Sequence, residues 1–345
     1  MRPFLTCWGV LAAMTAVACG DDSTEGAAAA GQGASGPGST SGSTSSSATG
    51  TGGGGGTGAG GDGGGGGTAP SCSGLSPEVG DFEGTVQSGT DSRTHRLHVP
   101  PSYVPSQATM LVLNFHGLFE SAEDIEQISQ MTPVSDAQGF IVAYPQGKSS
   151  SWNAGACCAP SSNQDVDDVQ YVRDLIDSLT ATHCIDPRRI YATGFSNGGM
   201  LSHRLGCELS DRIAAIGGVA GTIAVPSCTP GRSVPVAHFH GTSDFVVPFN
   251  GGGAGNAESV DTTIQGWVQR NGCTDTSPAV VFQEGDATCE EYSSCNEGAA
   301  VRLCTLQGGG HQWPGGESAG PGGTLNMDIS ASQTLAEFFA AHPMP

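Results

Sequence analysis

The chain has 345 residues and a formal net charge of -21, from 33 Asp and Glu against 12 Lys and Arg. Phosphate-rich partners are repelled by such a balance, which argues against nucleic acid, and no basic patch is available to hold the protein on anionic lipid.

Met1 and Arg2 precede a mostly apolar stretch, Phe4 to Ala18, too short to span a bilayer comfortably, so residues 1–18 are expected to be a signal peptide. Its end, Ala16-Val17-Ala18-Cys19, resembles a bacterial lipobox with Ala16 where leucine is usual. Cys19 is therefore the expected site of lipid attachment and the only expected membrane contact, with ordinary cleavage nearby as the alternative. Residues 19–70 are almost wholly Gly, Ser, Thr and Ala, with no apolar period able to bury a face. As a flexible coil of roughly 50 residues this tether would span about 40 Å.

Residues 71–345 have the length of one domain with a full core, expected to be a monomer at the cell envelope or outside the cell. Setting aside Cys7 and Cys19, ten of the 12 cysteines remain. Export predicts that they are paired. Cys289 with Cys295, and Cys273 with Cys304, would close compact loops, although the sequence does not fix the pairing. Cys157 and Cys158 are adjacent and the others scattered, unlike paired CxxC zinc spacing.

Along the domain, short apolar runs alternate with helical patterns. The first is Thr109 to Phe115, followed by His116-Gly117-Leu118. A loop after an early strand is where one oxyanion-hole N–H is expected, and the Leu118 amide is the candidate. Phe140 to Tyr144 is the second run. Acidic Asp165, Asp167 and Asp168 open a helix to Thr182, with Val169, Val172, Leu175, Ile176 and Leu179 on one stripe. Acids at a helix start suit its dipole and need no calcium; no metal or cofactor is expected.

The third run, Arg189 to Phe195, leads into Gly194-Phe195-Ser196-Asn197-Gly198 and then a helical segment from Gly199. This is GxSxG between strand and helix, the setting of a nucleophile elbow, with the Asn197 amide as the second oxyanion donor. Gly316-Glu317-Ser318-Ala319-Gly320 also matches, as 55 glycines make a chance match unsurprising, but it lies in a Gly/Pro loop. Ser196 is the predicted nucleophile. The fourth run, Val234 to His240, precedes Asp244. A helix over Val260, Ile264, Trp267 and Val268 follows, then a strand over Val301 to Leu306, then His311 behind three glycines, and a C-terminal helix over Ile329 to Phe339. The order Ser, acid, His fits Asp244 as orienting carboxylate and His311 as base. His183, His203 and His238 fall on helix or strand patterns and are expected to pack; His240, beside Asp244, is expected to support it. Trp152 and Trp313 flank the site in sequence and are candidate substrate contacts, with core packing as the competing reading.

Strand and helix in alternation predict an α/β fold with a mostly parallel central sheet and helices on both faces. Seven ordered motifs carry a more specific resemblance: Asn114 to Gly117, Ser151-Trp152-Asn153 leading to Cys157-Cys158, Asp165 to Val169, Ile185 to Tyr191, Gly194 to Met200, His240 to Asp244, and Gly310 to Gly315. Together, over about Phe82 to His342, they resemble the esterase/polyhydroxybutyrate depolymerase family of α/β-hydrolases, which includes feruloyl and acetyl-xylan esterases. Phe119 and its neighbours depart from many relatives. The resemblance implies a serine ester hydrolase with Ser196, Asp244 and His311 as triad, acting without a cofactor on an ester-bearing plant-wall polysaccharide. Alternatives are a polyester such as polyhydroxybutyrate, a serine peptidase, for which the chain has no room for the usual extra domain, and a non-catalytic surface binding protein, which would be expected to lack a triad member.

Overall fold

A computed structural model describes residues 72–253 and 257–345; the expected signal peptide, Cys19 and the expected tether lie outside them. Ten strands form one sheet. In chain order they are β1 (Gly80–Ser88), β2 (Asp91–Val99), β3 (Thr109–Phe115), β4 (Ile141–Pro145), β5 (Ile185–Phe195), β6 (Ile216–Val219), β7 (Val236–Gly241), β8 (Ala279–Glu284), β9 (Ala287–Tyr292) and β10 (Val301–Leu306). Their order across the sheet is β1-β2-β4-β3-β5-β6-β7-β10-β9-β8. The six from β4 to β10 run parallel, and antiparallel pairs close both sides.

Six helices, α1 (Ala122–Ser129), α2 (Met131–Gln138), α3 (Asp168–Thr182), α4 (Asn197–Glu208), α5 (Val260–Arg270) and α6 (Ala331–Ala341), cover the sheet. Strand periodicity divides the core between its faces. Leu111, Leu113 and Phe115 of β3 pack with α3, α4 and α5, while Met110 and Val112 pack with α1, α2 and α6. Both faces being buried explains why the central strands read as continuous apolar runs. The acids at the start of α3 have structural partners. Asp167 caps the helix by accepting from Gln170 N, and buried Asp168 pairs with Arg93 at 2.9 Å and accepts from Asn153 N.

All ten cysteines of the domain are paired, as Cys72–Cys184, Cys157–Cys158, Cys207–Cys228, Cys273–Cys295 and Cys289–Cys304. The two suggested loops exchange partners. Antiparallel β9 and β10 set Cys289 directly opposite Cys304, which leaves Cys295 for Cys273.

Candidate active site

Ser196, Asp244 and His311 follow β5, β7 and β10, at the carboxyl ends of parallel strands where α/β sheets place ligands. Ser196 sits at φ 53°, ψ -117°, a left-handed backbone uncommon for a side chain larger than glycine, and is the N-cap of α4. Its flanking glycines let the turn close. A Cβ on Gly198 would stand 2.1 Å from the Phe115 carbonyl oxygen, and one on Gly194 2.5 Å from the Gly198 carbonyl carbon. The elbow is therefore wedged against β3.

His311 Nδ1 donates to Asp244 Oδ2 at 2.7 Å. The other carboxylate oxygen accepts from the amides of Val246 and Val247 at 2.8 and 2.9 Å. Burial opposes ionisation of Asp244, but hydrogen bonds from His240 and His311, the charge of a protonated His311 and the Val247 amide outweigh it and hold the carboxyl below the ordinary range. The loops carrying acid and base are tied together by Ser243 N to Gly309 O at 2.9 Å and Gly308 N to Thr242 Oγ1 at 2.8 Å. The Phe195 ring packs 4.8 Å from that of His311.

Ser196 and His311 line one cavity of about 330 Å³. The Ser196 hydroxyl has no hydrogen-bond partner among the described residues; such contacts commonly tighten only when substrate is bound. In the loop after β3, Gly117 N donates to Glu120 Oε2 and Phe119 N to the Ser150 carbonyl. The amides of Leu118 and Asn197 donate to no described residue. The loop is braced from behind. His116 Nδ1 donates to the Gly117 carbonyl and its Nε2 accepts from Gly147 N, while burial pushes its pKa down to about 4 and keeps the ring neutral.

Of the two readings open for Trp152 and Trp313, substrate contact and core packing, the structure places both side chains in the core. Both are fully buried, at 0% exposure. The Trp152 indole donates to the His116 carbonyl at 2.9 Å, and its backbone is clamped by the Asn197 side chain, so it supports the loop and the elbow together. Trp313 donates to Ser332 Oγ within the core on the α6 face. Ser318 is exposed and bonded only to Gly320 in its loop. The cavity wall is made instead by Leu118, Phe119, Met200, Phe245, Pro321 and the Cys157–Cys158 disulfide, with Glu120 at its edge. Phe119 and Phe245 are 75% and 65% exposed at its rim. Sequence offered little sign of this wall beyond the unusual residue at 119 and the adjacent cysteines. A second, larger groove of about 860 Å³ shares Cys157 and Met200 with the cavity and is lined by Asn153, Asp165, Arg204 and Glu208 among others.

The parallel sheet, the strained serine between strand and helix, and the paired acid and histidine at neighbouring strand ends define an α/β-hydrolase. Residues 104–284, just over half of the chain, match the phospholipase/carboxylesterase family, and the chain belongs to that family. It is similar to feruloyl esterase B of Piromyces equi, 36% identical over an alignment of 228 positions that covers 61% of this chain and 41% of that protein. It is also similar to a bifunctional acetylxylan esterase/xylanase of Neocallimastix patriciarum, 27% identical over 68% of this chain and 32% of that protein. The chain thus spans less than half the length of either relative. An acetyl xylan esterase from Aspergillus awamori shares the fold, with a TM-score of 0.54 and 15% identity over 75% of this chain and all of that one.

Proposed function

We propose that the protein is an exported serine carboxyl-ester hydrolase working through an acyl-enzyme, and that its substrate is a feruloyl- or acetyl-type ester on plant cell-wall polysaccharide. The observation that carries this is the single cavity lined by Ser196 on its elbow and by His311 held at 2.7 Å by Asp244. In this reading Ser196 Oγ attacks the ester carbonyl as His311 Nε2 takes its proton, and the Leu118 and Asn197 amides receive the developing oxyanion. His311 then protonates the leaving alcohol, and water, activated by the same ring, releases the acid. Asp244 keeps Nδ1 protonated and stabilises the imidazolium.

Apolar walls with Phe119 and Phe245 at the rim favour a bulky aromatic acyl group over acetyl. The adjoining groove, which sets Asn153, Asp165, Arg204 and Glu208 among apolar residues, is of a size to receive the sugar side of such an ester. Five disulfides support an oxidising compartment, and lipidation at Cys19 would keep the protein at the cell surface. Purified protein assayed side by side on methyl ferulate, acetylated xylan and polyhydroxybutyrate tests the assignment. Turnover fastest on methyl ferulate is expected; preference for polyhydroxybutyrate would make it a polyester depolymerase, and no turnover of any ester would refute the catalytic reading. Partition with membranes that is lost in Cys19→Ser tests the anchor, and a wild-type protein wholly free in the medium would refute it.

A further inference from the structure

Three buried histidines stand in a row that ends beside Asp244. The indole of Trp267 on α5 donates to His203 Nδ1 on α4 at 3.0 Å. His203 Nε2 lies 3.3 Å from His238 Nδ1, and His238 Nε2 lies 3.1 Å from His240 Nδ1, both on β7. His240 Nε2 ends the row, 2.8 Å from the Val247 carbonyl and 3.4 Å from Asp244 Oδ2.

Neither end leaves a choice of proton position. An indole nitrogen only donates, so His203 Nδ1 must accept and, in a neutral ring, Nε2 must carry the proton. A carbonyl and a carboxylate only accept, so His240 Nε2 must carry a proton, Nδ1 must accept, and His238 must donate from Nε2. The two deductions meet at His238 without conflict. An extra proton on any ring would set N–H against N–H. Space is reserved for the junction: a Cβ on Gly218 of β6 would stand 2.7 Å from His203 Nε2 and 2.9 Å from His238 Nδ1. Burial lowers the pKa of His203 to about 3 and that of His238 well below the ordinary value. The charged or titratable groups facing the row are Asp244 at one end, His311 beyond it, and Arg270, whose charge further disfavours protonation of His203.

We propose that His203, His238 and His240 form a tautomer-locked hydrogen-bond chain from Trp267 to Asp244, and that these positioning residues present a neutral N–H to the acid. His311 is then the one ring free to become the carboxylate's cationic partner. The chain also fixes the turn that carries the acid, since the Val247 carbonyl accepts from His240 while the Val247 amide donates to Asp244. The functional part of the proposal rests on the reading of Asp244 as the orienting acid.

Two-bond nitrogen–proton spectra of the full chain labelled with ¹⁵N-histidine test it. The three rings should show protonated Nε2 and bare Nδ1 at about pH 8, and His203 and His238 should keep that state from about pH 5 to about pH 9, the range in which free imidazole would titrate. A proton on Nδ1 of any of the three at that pH, or a doubly protonated His203 or His238 within that range, overturns the chain whether or not the protein hydrolyses esters. His238→Leu should free His240 Nδ1 to take a proton and compete with His311 for Asp244. Turnover should fall about tenfold, and the acid limb of the kcat/KM profile should move to lower pH by about one unit. His238→Gln, which can accept at Oε1 and donate at Nε2, should stay within about threefold of wild type. A folded His238→Leu protein with the wild-type profile overturns the positioning role. Full activity in folded Ser196→Ala would instead refute the esterase reading, and the ring spectra would still decide the chain.

Discussion

Replacing Asp244 by asparagine removes a charge and, because of how the carboxylate is held, reverses a proton. Oδ1 accepts from two amides at 2.8 and 2.9 Å. The asparagine carbonyl must stay on that side, since an NH₂ there would oppose two donors. The NH₂ then faces His311 Nδ1, which has to become an acceptor, so the ring carries its proton on Nε2, the atom meant to take one from Ser196. A wrong tautomer and a lost counter-charge together should lower kcat by about 10³-fold, or ~4 kcal/mol of transition-state stabilisation. Folding should suffer less than activity, because the turn keeps both hydrogen bonds, although the new NH₂ also opposes the His240 Nε2 proton and the carboxylate charge favoured by the fold is lost. Asp244→Ala separates the two effects: it also orphans both amides, at about 1–3 kcal/mol each, and should lower Tm as well as activity. Steady-state hydrolysis of p-nitrophenyl acetate and thermal melts of both variants are the assay. An Asp244→Asn protein within tenfold of wild-type turnover would refute the reasoning.

Ser196→Ala, His311→Ala and the double variant should each lose about 10⁴-fold or more in turnover, with the double no worse than the singles, because the groups act as a unit; additive losses would contradict this, and Ser318→Ala should be silent in the same assay. Burial raises the Glu120 carboxyl to about 7 from an ordinary 4.5, with Asp124 adding to the shift although the Gly117 amide opposes it. The folded protein therefore binds that proton more tightly than the unfolded chain, a stabilisation present below pH 4.5 and lost as pH rises through about 7. Wild-type Tm should accordingly decline across that window relative to Glu120→Gln, and parallel melting curves would count against the shift. Cys72 and Cys184 are 112 residues apart and Cys289 and Cys304 only 15; by loop entropy their removal should cost about 5 and about 3 kcal/mol, an order that denaturant titration of the two double-serine variants checks.

β10, VRLCTL, is only half buried, but the strands ahead of Ser196 and Asp244 were legible because burial on both faces makes their inner segments largely apolar, and Thr109–Phe115, ahead of the His116-Gly117-Leu118 loop, has the bounds read from sequence. The outer strands were not. β2 carries Arg93, His95, Arg96 and His98, and β1 alternates exposed Asp81 and Glu83 with half-buried residues, so neither resembles a buried strand. β6 is four residues with two glycines at its centre. The positions of Ser196, Asp244 and His311 just after strands followed from motif order, whereas the fate of Trp152 and Trp313 depended on packing between elements far apart in the chain. The cysteine partners likewise depended on the register of β9 against β10, which composition and spacing do not encode.

The Cys72–Cys184 bridge also sets where the domain can be pulled. Cys184 immediately precedes β5, and Ser196 immediately follows it, with the strand's 11 residues between. At strand rise this separates the two ends by roughly 35 Å. A load on the chain ahead of Cys72 is therefore delivered through a covalent link to the root of a central strand, not to an outer strand that could be peeled away. Ser196 sits at the opposite end of that strand, where, if it is the nucleophile proposed above, a bulky insoluble substrate could approach it without fouling the hitching point.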